Sequence, residues 1–231
     1  MEAPGHSVSI VIPALDEAAG IEAFLAPLQA LDAEVIVVDG GSRDATRSLA
    51  APLADQVLEA PRGRAAQMNA GARASSGDVL LFLHADTALP ANALAAIREG
   101  LAQGRAWGRF DVTIAGASAL LPIVAFFMNA RSRLTGIATG DQAMFVRRTA
   151  FEQVGGFPAI ALMEDIALSR ALKRISRPAC LASRVTTSGR RWEKRGTVRT
   201  ILLMWHLRLA YFLGANPNDL AQRYDARGPR A

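Results

Sequence analysis

"LLFLHADTALP", residues 80–90, opens with four apolar residues and turns polar at His84-Ala85-Asp86. A run this short and this apolar predicts a strand buried on both faces, as in a parallel sheet. Open α/β sheets present their ligand-binding groups at the carboxyl ends of strands, so an imidazole and a carboxylate at this point mark a candidate site. If extended geometry continues past Leu83, His84 and Asp86 lie on the same side of the chain.

The surrounding sequence repeats the pattern. "SVSIVIPALDE" gives a strand over Val8–Pro13 and a helix near Ala18–Leu31, and "EVIVVDGGSRDAT" a second strand over Glu34–Val38 with Ser42 and Asp44 as candidate helix caps. "QVLEA" is a short third strand. "RGRAAQMNAGARAS" reads as a helix that Gly71 interrupts, and "PANALAAIREGLA" as another with Pro90 in its first turn. This alternation over residues 8–102 predicts an α/β fold with a parallel sheet and helices on its faces. The second half is less regular: a strand in "WGRFDVTIAG", helix over 117–135, a strand in "QAMFVRR", a helix in "EDIALSRALKR", a last strand in "ACLASRVTTS" and a helix near 197–213. With no repeat, linker or break in composition, the reading is one domain.

A chain of 231 residues with 51% hydrophobic and 20% charged residues has the composition of a folded protein. Its one cysteine, Cys180, excludes an intrachain disulfide framework and a thiolate zinc cluster, and suits a reducing cytoplasm. The net charge of +5 comes from arginines weighted toward "SRVTTSGRRWEKRGTVRT", which implies an anionic partner. Aromatics at 6%, with no RNA-binding signature, argue against nucleic acid. Segments 115–128 and 201–214 are apolar but too short to span a bilayer, so each is a core helix or an interfacial one. The start, "MEAPGHS", carries no signal-peptide pattern.

Carboxylates carry the candidate chemistry. Asp39 follows "VIVV" and precedes two glycines, where it can meet a ribose or base edge or simply close an Asx turn. Asp16 and Glu17 follow the first strand through Pro13. Asp86 offers a hard oxygen ligand for a divalent cation, with His84 as a second candidate. Glu164 and Asp165 open a helix, where acidic residues are favoured electrostatically and where Asp165 can also serve as a general base. The chain contains no GxGxxG, GxxxxGK[ST] or GxSxG motif.

In order and spacing, "VSIVIPALDEAAGI", "VIVVDGGSRDAT", "GDVLLFLHADT" and "MEDIALSRAL" resemble the family 2 glycosyltransferases of GT-A fold. "RGRAAQMNAG", "GDQAMFVRR" with "FEQVGGFP", and "TTSGRRWEKRGTVRT" resemble more narrowly a small bacterial branch, the radical-SAM/selenodomain-associated transferases. The resemblance implies a nucleotide-diphospho-sugar transferase fold with a Rossmann-like, mostly parallel sheet. It divides the chain into a nucleotide-sugar half (8–102), an acceptor and catalytic half (103–195) and a C-terminal helical segment (196–231). Pro13, Ala14, Asp16 and Glu17 would line the nucleotide pocket, Asp39 would meet the uracil or ribose, and Arg62, Arg64 and Asn69 would belong to a segment folding over the donor. His84, Ala85 and Asp86 stand where the family has its DxD metal motif, with His84 in place of the first aspartate, which tilts the expected cation from Mg²⁺ toward Mn²⁺. Asp165 matches the family's base, with Glu164 beside it. Arg191 and Trp192 resemble the end of a QxxRW motif, with Ser188 in place of the glutamine.

The implied reaction is inverting transfer from a nucleotide diphosphate sugar, UDP ahead of GDP, to an acceptor hydroxyl or carboxyl. The apolar segments beside a basic stretch suggest a lipid or isoprenoid acceptor and a cytoplasmic protein with peripheral membrane contact. The alternative is a non-catalytic protein that binds nucleotide sugars or a membrane surface.

Overall fold

The structure, a computed structural model, describes residues 7–226. Its centre is an eight-stranded mixed sheet in the order β3-β2-β1-β4-β7-β6-β8-β5. The strands are β1 (Val8–Ala14), β2 (Glu34–Asp39), β3 (Gln56–Glu59), β4 (Val79–Phe82), β5 (Thr87–Ala88), β6 (Trp107–Ala115), β7 (Met144–Arg147) and β8 (Ala179–Ser188). The helices are α1 (Ile21–Leu25), α2 (Thr46–Ala50), α3 (Arg64–Ala74), α4 (Ala93–Ala102), α5 (Leu121–Thr135), α6 (Arg148–Gln153), α7 (Glu164–Leu172), α8 (Arg190–Arg195), α9 (Thr197–Phe212) and α10 (Pro217–Ala226). β1, β2, β3 and β4 pair in parallel, as the alternation predicts. Both faces of β1 are buried: Val8, Ile10 and Ile12 enter one core, and Val11 enters the core on the other side with Ile36 and Val38.

Three expectations need correction. The helix expected over 18–31 is only α1, followed by a 3-10 turn over Ala26–Ala30 with Pro27 near its start, because proline cannot donate the backbone bond that helix continuation requires. Gly71 does not interrupt α3. A Cβ there would come within 2.4 Å of Val11 Cγ1 and 2.9 Å of Val38 Cγ2, so glycine lets the helix lie directly on the sheet. Most relevant to the site, β4 ends at Phe82 and not at Asp86. The Leu83 N–H still donates to Val11 O at 3.0 Å, but the chain then folds into a turn closed by Thr87 N–H on His84 O at 3.0 Å. Strand alternation therefore does not set the directions of His84 and Asp86.

The strand directions explain what meets at this turn. β7 runs antiparallel to β4 with Met144 opposite Phe82, so the segment before β7, a 3-10 turn over Gly140–Gln142, arrives beside His84. β5 pairs Thr87 with Thr187 of β8, and Ser188 N–H donates to Asp86 O at 3.1 Å, which brings the start of α8 to the same end of the sheet.

A polar seam fastens α5 to β6. The fully buried Arg109 guanidinium donates to Asp111, to Ser132 Oγ at 3.0 Å and to Asn129 O at 3.3 Å. Asn129 exchanges two bonds with the Val112 backbone, and Arg133 donates to Asp111 Oδ2 at 2.7 Å. The seam fixes the rotation of α5, which buries Leu121, Ala125 and Met128 and leaves Ile123, Phe126 and Phe127 exposed. α9 likewise buries Leu203 and Leu207 and exposes Leu202, Trp205 and Leu209. Both apolar segments thus have one buried and one exposed face, and no helix among the described residues is long and apolar enough to cross a membrane.

Candidate active site

Two loops zip together at the carboxyl ends of β1 and β2. Asp16 N–H donates to Ser42 Oγ at 2.9 Å, Arg43 N–H donates to Asp16 Oδ1 at 2.8 Å, and Glu17 N–H donates to Thr46 Oγ1 at 2.8 Å. Gln67 of α3 donates to Ala14 O at 2.9 Å and Val38 O at 2.8 Å, holding the two strand ends together just past Pro13. Asp39 is fully buried, and its carboxylate accepts from Gly41 N–H and Ser42 N–H, both at 2.9 Å, and from Ser42 Oγ. Its local work is to shape this loop. Glu17 is half-buried at the rim. Burial raises its pKa, Arg190 of α8 works against that, and Asp86, Asp44 and Asp16 add to the rise.

Arg64, in the first turn of α3, joins the two halves of the cluster. Burial opposes its charge, but Glu164, Asp141, Asp165 and Asp86 outweigh burial and raise its pKa. Its Nη1 lies 3.6 Å from Glu164 Oε1. Glu164 is thus the carboxylate paired with this guanidinium, and the charges of the 84–87 turn, the segment before β7 and Asp165 act on it from around that pair. Arg62, two residues earlier, is exposed. The His84 ring packs on Gly140, where a Cβ would lie 2.4 Å from His84 Cε1, and its Nδ1 is 3.5 Å from Asp141 Oδ1. His84, Gly140, Glu164 and Asp165 line a small pocket with Met68, Phe82, Met144 and Phe157. Ala85 forms the turn to Asp86, whose side chain is exposed.

Asp165 accepts Gly140 N–H at 2.9 Å on one oxygen and Ile166 N–H at 2.7 Å on the other. Left-handed backbone at a residue other than glycine costs about 1–3 kcal/mol and gathers at functional sites. Among the described residues it occurs at Asp16, Ala143 and Met163, each in a segment that supplies this cluster.

Burial, then Asp165, raises the Glu164 pKa, while Arg64 and His84 oppose the rise. The folded protein thus holds this proton more tightly than the unfolded chain. Its contribution is favourable at low pH and is lost as pH climbs above the ordinary glutamate range toward the raised value. Glu164→Gln is expected to flatten that decline, as read by urea unfolding across pH in the presence of a chelator; an identical slope in variant and wild type would contradict the assignment.

Several predicted residues do not join the cluster. Asn69 exchanges two bonds with the Phe157 backbone, at 2.8 and 2.9 Å, and ties α3 to the turn at Gly156. Trp192 packs against the larger core, and the Arg191 side chain lies outside the described residues. Sequence reading missed Asp141, Arg131 and Arg208. The only signal for Arg208 was a charge inside an apolar run.

The model of the family described as glycosyl transferase family 2 matches residues 9–155. The undecaprenyl-phosphate 4-deoxy-4-formamido-L-arabinose transferase of Pseudomonas fluorescens (strain Pf0-1) is 32% identical over 164 residues, covering 62% of this chain and 47% of that protein. The chain thus spans about half the length of this curated relative. The mannosyltransferase PcManGT of Pyrobaculum calidifontis, solved with GDP-Man and Mn²⁺, superposes with a TM-score of 0.65 at 22% identity over 98% of this chain and 66% of its own. Glucosyl-3-phosphoglycerate synthase of Mycobacterium tuberculosis, solved with Mn²⁺, UDP and glucosyl-3-phosphoglycerate, superposes with a TM-score of 0.58 at 20% identity over 79% and 71% of the two chains. Residues 1–349 of S. aureus TarS superpose with a TM-score of 0.60 at 14% identity, over 79% of this chain and 60% of that one. These likenesses establish the GT-A fold.

Proposed function

Because the chain belongs to glycosyl transferase family 2, we propose that it moves a sugar from a nucleotide diphosphate sugar to an acceptor oxygen in one inverting displacement. The observation that carries this reading is the cluster at the end of β4, where His84 packs on Gly140 with Nδ1 3.5 Å from Asp141, Gly140 N–H donates to Asp165, and Arg64 stands 3.6 Å from Glu164. In this reading residues 8–102 hold the donor, 103–195 form the acceptor and catalytic side, and 196–231 make up a C-terminal segment that carries α9 and α10. The ends of β1 and β2 and the loops that follow them, with Pro13, Ala14, Asp16, Glu17 and Asp39, form the nucleotide wall, and Arg62 and Arg64 lie on the side of the diphosphate.

A divalent cation bound with a nucleotide takes one or two protein carboxylates and completes its shell with phosphate oxygens and water. Asp86 suits that role: it is exposed, and the hydrogen bond its carboxylate makes is a long one of 3.3 Å from Thr87 Oγ1. Among the described residues no group of three His, Cys, Asp or Glu side chains could hold a metal. The donor set therefore fits an ion that arrives with the diphosphate rather than one held in a protein cage. Bound there, Mn²⁺ or Mg²⁺ would neutralise charge on the diphosphate. Arg64 and Arg190 supply fixed positive charge on the same side, which stabilises the departing anion more than the ground state.

Where the attacking oxygen is a hydroxyl, Asp165 takes its proton. Asp165→Asn keeps the shape and removes the base, so transfer to an alcohol is expected to fall by about 10²–10⁴ with donor affinity unchanged. A rate preserved in the variant would remove Asp165 from proton transfer.

The deciding experiment is a thermal-shift and hydrolysis panel of UDP- and GDP-sugars with and without Mn²⁺, UDP being expected to win. A metal-dependent shift accompanied by release of the nucleotide diphosphate supports the transferase. A shift with no turnover on any donor or acceptor would favour the non-catalytic binder, and no shift with any nucleotide would overturn both.

A further inference from the structure

Three buried side-chain nitrogens that lack a hydrogen-bond partner among the described residues belong to two arginines on which the charge of Asp165 acts: Arg131 Nε and Nη2, and Arg208 Nε. Arg131 belongs to α5 and Arg208 to α9. Neither arginine makes an ion pair among the described residues, although both feel the charge of Asp165 and Arg208 also feels that of Asp141. Both residues are half-buried. Burial and then Arg208 push the Arg131 pKa down to about 10, and Arg109 adds to this while Asp165 opposes it. Two cations brought together with unfilled donors, and with the nearest carboxylate already bonded to backbone N–H groups, form a poor arrangement unless an anion joins them.

The surroundings indicate what that anion is attached to. The outer faces of the same two helices expose Phe126, Phe127 and Leu134 on α5 and Trp205, Leu209 and Phe212 on α9, each more than half exposed. On α9 these residues follow the helical period along one stripe, with an indole among them, as in helices that lie at a lipid interface. An anion site flanked by exposed apolar helix faces matches an amphiphile with an acidic head. Two guanidiniums match a dianion better than a carboxylate.

We infer that Arg131 and Arg208 form an acceptor subsite that holds the phosphate monoester of a long-chain lipid beside Asp165, with the chain lying along the exposed faces of α5 and α9. This rests on the transferase reading and narrows its acceptor. In the corresponding step a phosphate oxygen bonds to the anomeric carbon, the bond from that carbon to the nucleotide diphosphate breaks, and its electron pair leaves on the diphosphate. No proton is removed from the acceptor, so Asp165 acts as a base only toward alcohols.

The test uses co-sedimentation of the full chain with phosphatidylcholine vesicles that are plain, doped with a polyprenyl monophosphate, or doped with the corresponding polyprenol. Wild type is expected to prefer the phosphate vesicles by roughly tenfold or more, and Arg131→Gln/Arg208→Gln to erase that preference. Arg208→Lys should restore part of it. Equal binding to polyprenol vesicles, or an undiminished preference in the double variant, would overturn the inference. Inorganic phosphate that competes as well as the lipid phosphate would assign the pair to a free anion and likewise overturn it. A nucleotide-diphosphate thermal shift in the double variant equal to that of wild type confirms folding and keeps the donor site separate. Failure of the donor reading shows as a wild type without that shift, whatever the vesicles report.

Discussion

Asp86→Ala is expected to abolish the metal-dependent part of nucleotide diphosphate binding. At a hundredfold excess over Kd, a ligand that binds only the folded state raises stability by about 2.7 kcal/mol, and the variant should lose most of that gain. The substitution is structurally mild. Asp86 is exposed, and the backbone bonds that shape its turn, Thr87 N–H to His84 O and Ser188 N–H to Asp86 O, do not involve its side chain. Removing its charge also removes one of the influences that raise the Glu17 pKa, so the empty protein should fold as before. His84→Ala is the informative companion. Because the imidazole faces Gly140 and Asp141, its loss should leave the metal dependence largely in place. An unchanged metal-dependent shift in Asp86→Ala would refute the assignment of the cation to this carboxylate.

The apolar runs of β1, β2 and β4 are legible in the sequence because burial on both faces leaves no polar position within them. β5, α6 and α8 are short elements whose existence depends on neighbours far along the chain, and no local period announces them. The same division holds in the site. Asp86 and Asp165 can be found from sequence because each stands where an apolar segment gives way to a turn or helix start. The local hydrogen bonds of Asp39 are also legible, since the adjacent Gly41 and Ser42 supply the donors. Arg131 and Arg208 are different. Arg131 is one residue from Ser132 and two from Arg133, both part of the Arg109–Asp111 seam, and only the rotation of α5 separates their roles. Asp141 reaches His84 because β7 runs antiparallel to β4, a pairing that the regular alternation of the first half does not foretell.

Asp111→Ala is expected to be the most damaging substitution for stability, at about 3–5 kcal/mol, because it strips a carboxylate from a guanidinium that remains buried. Arg109 is 0% exposed, and its other partners, Ser132 Oγ and Asn129 O, are neutral. Arg133 loses the same carboxylate but can turn to water, since its side chain is 42% exposed. For a chain of this length the loss corresponds to a fall in Tm of roughly 10 °C. Asp111→Asn, which keeps an acceptor but not the charge, should lie between the alanine variant and wild type. Replacing both members, as in Arg109→Met/Asp111→Leu, should recover most of the stability, since an apolar pair avoids desolvating two charges. The recovered protein is the decisive sample. The seam orients α5, and α5 carries Arg131, so the apolar double variant should unfold near the wild-type Tm yet lose much of its preference for phosphate-bearing vesicles. Full retention of that preference would show that Asn129 and the apolar face of α5 suffice to place Arg131. A Tm still depressed by roughly 10 °C would show that the pair contributes packing beyond its charges.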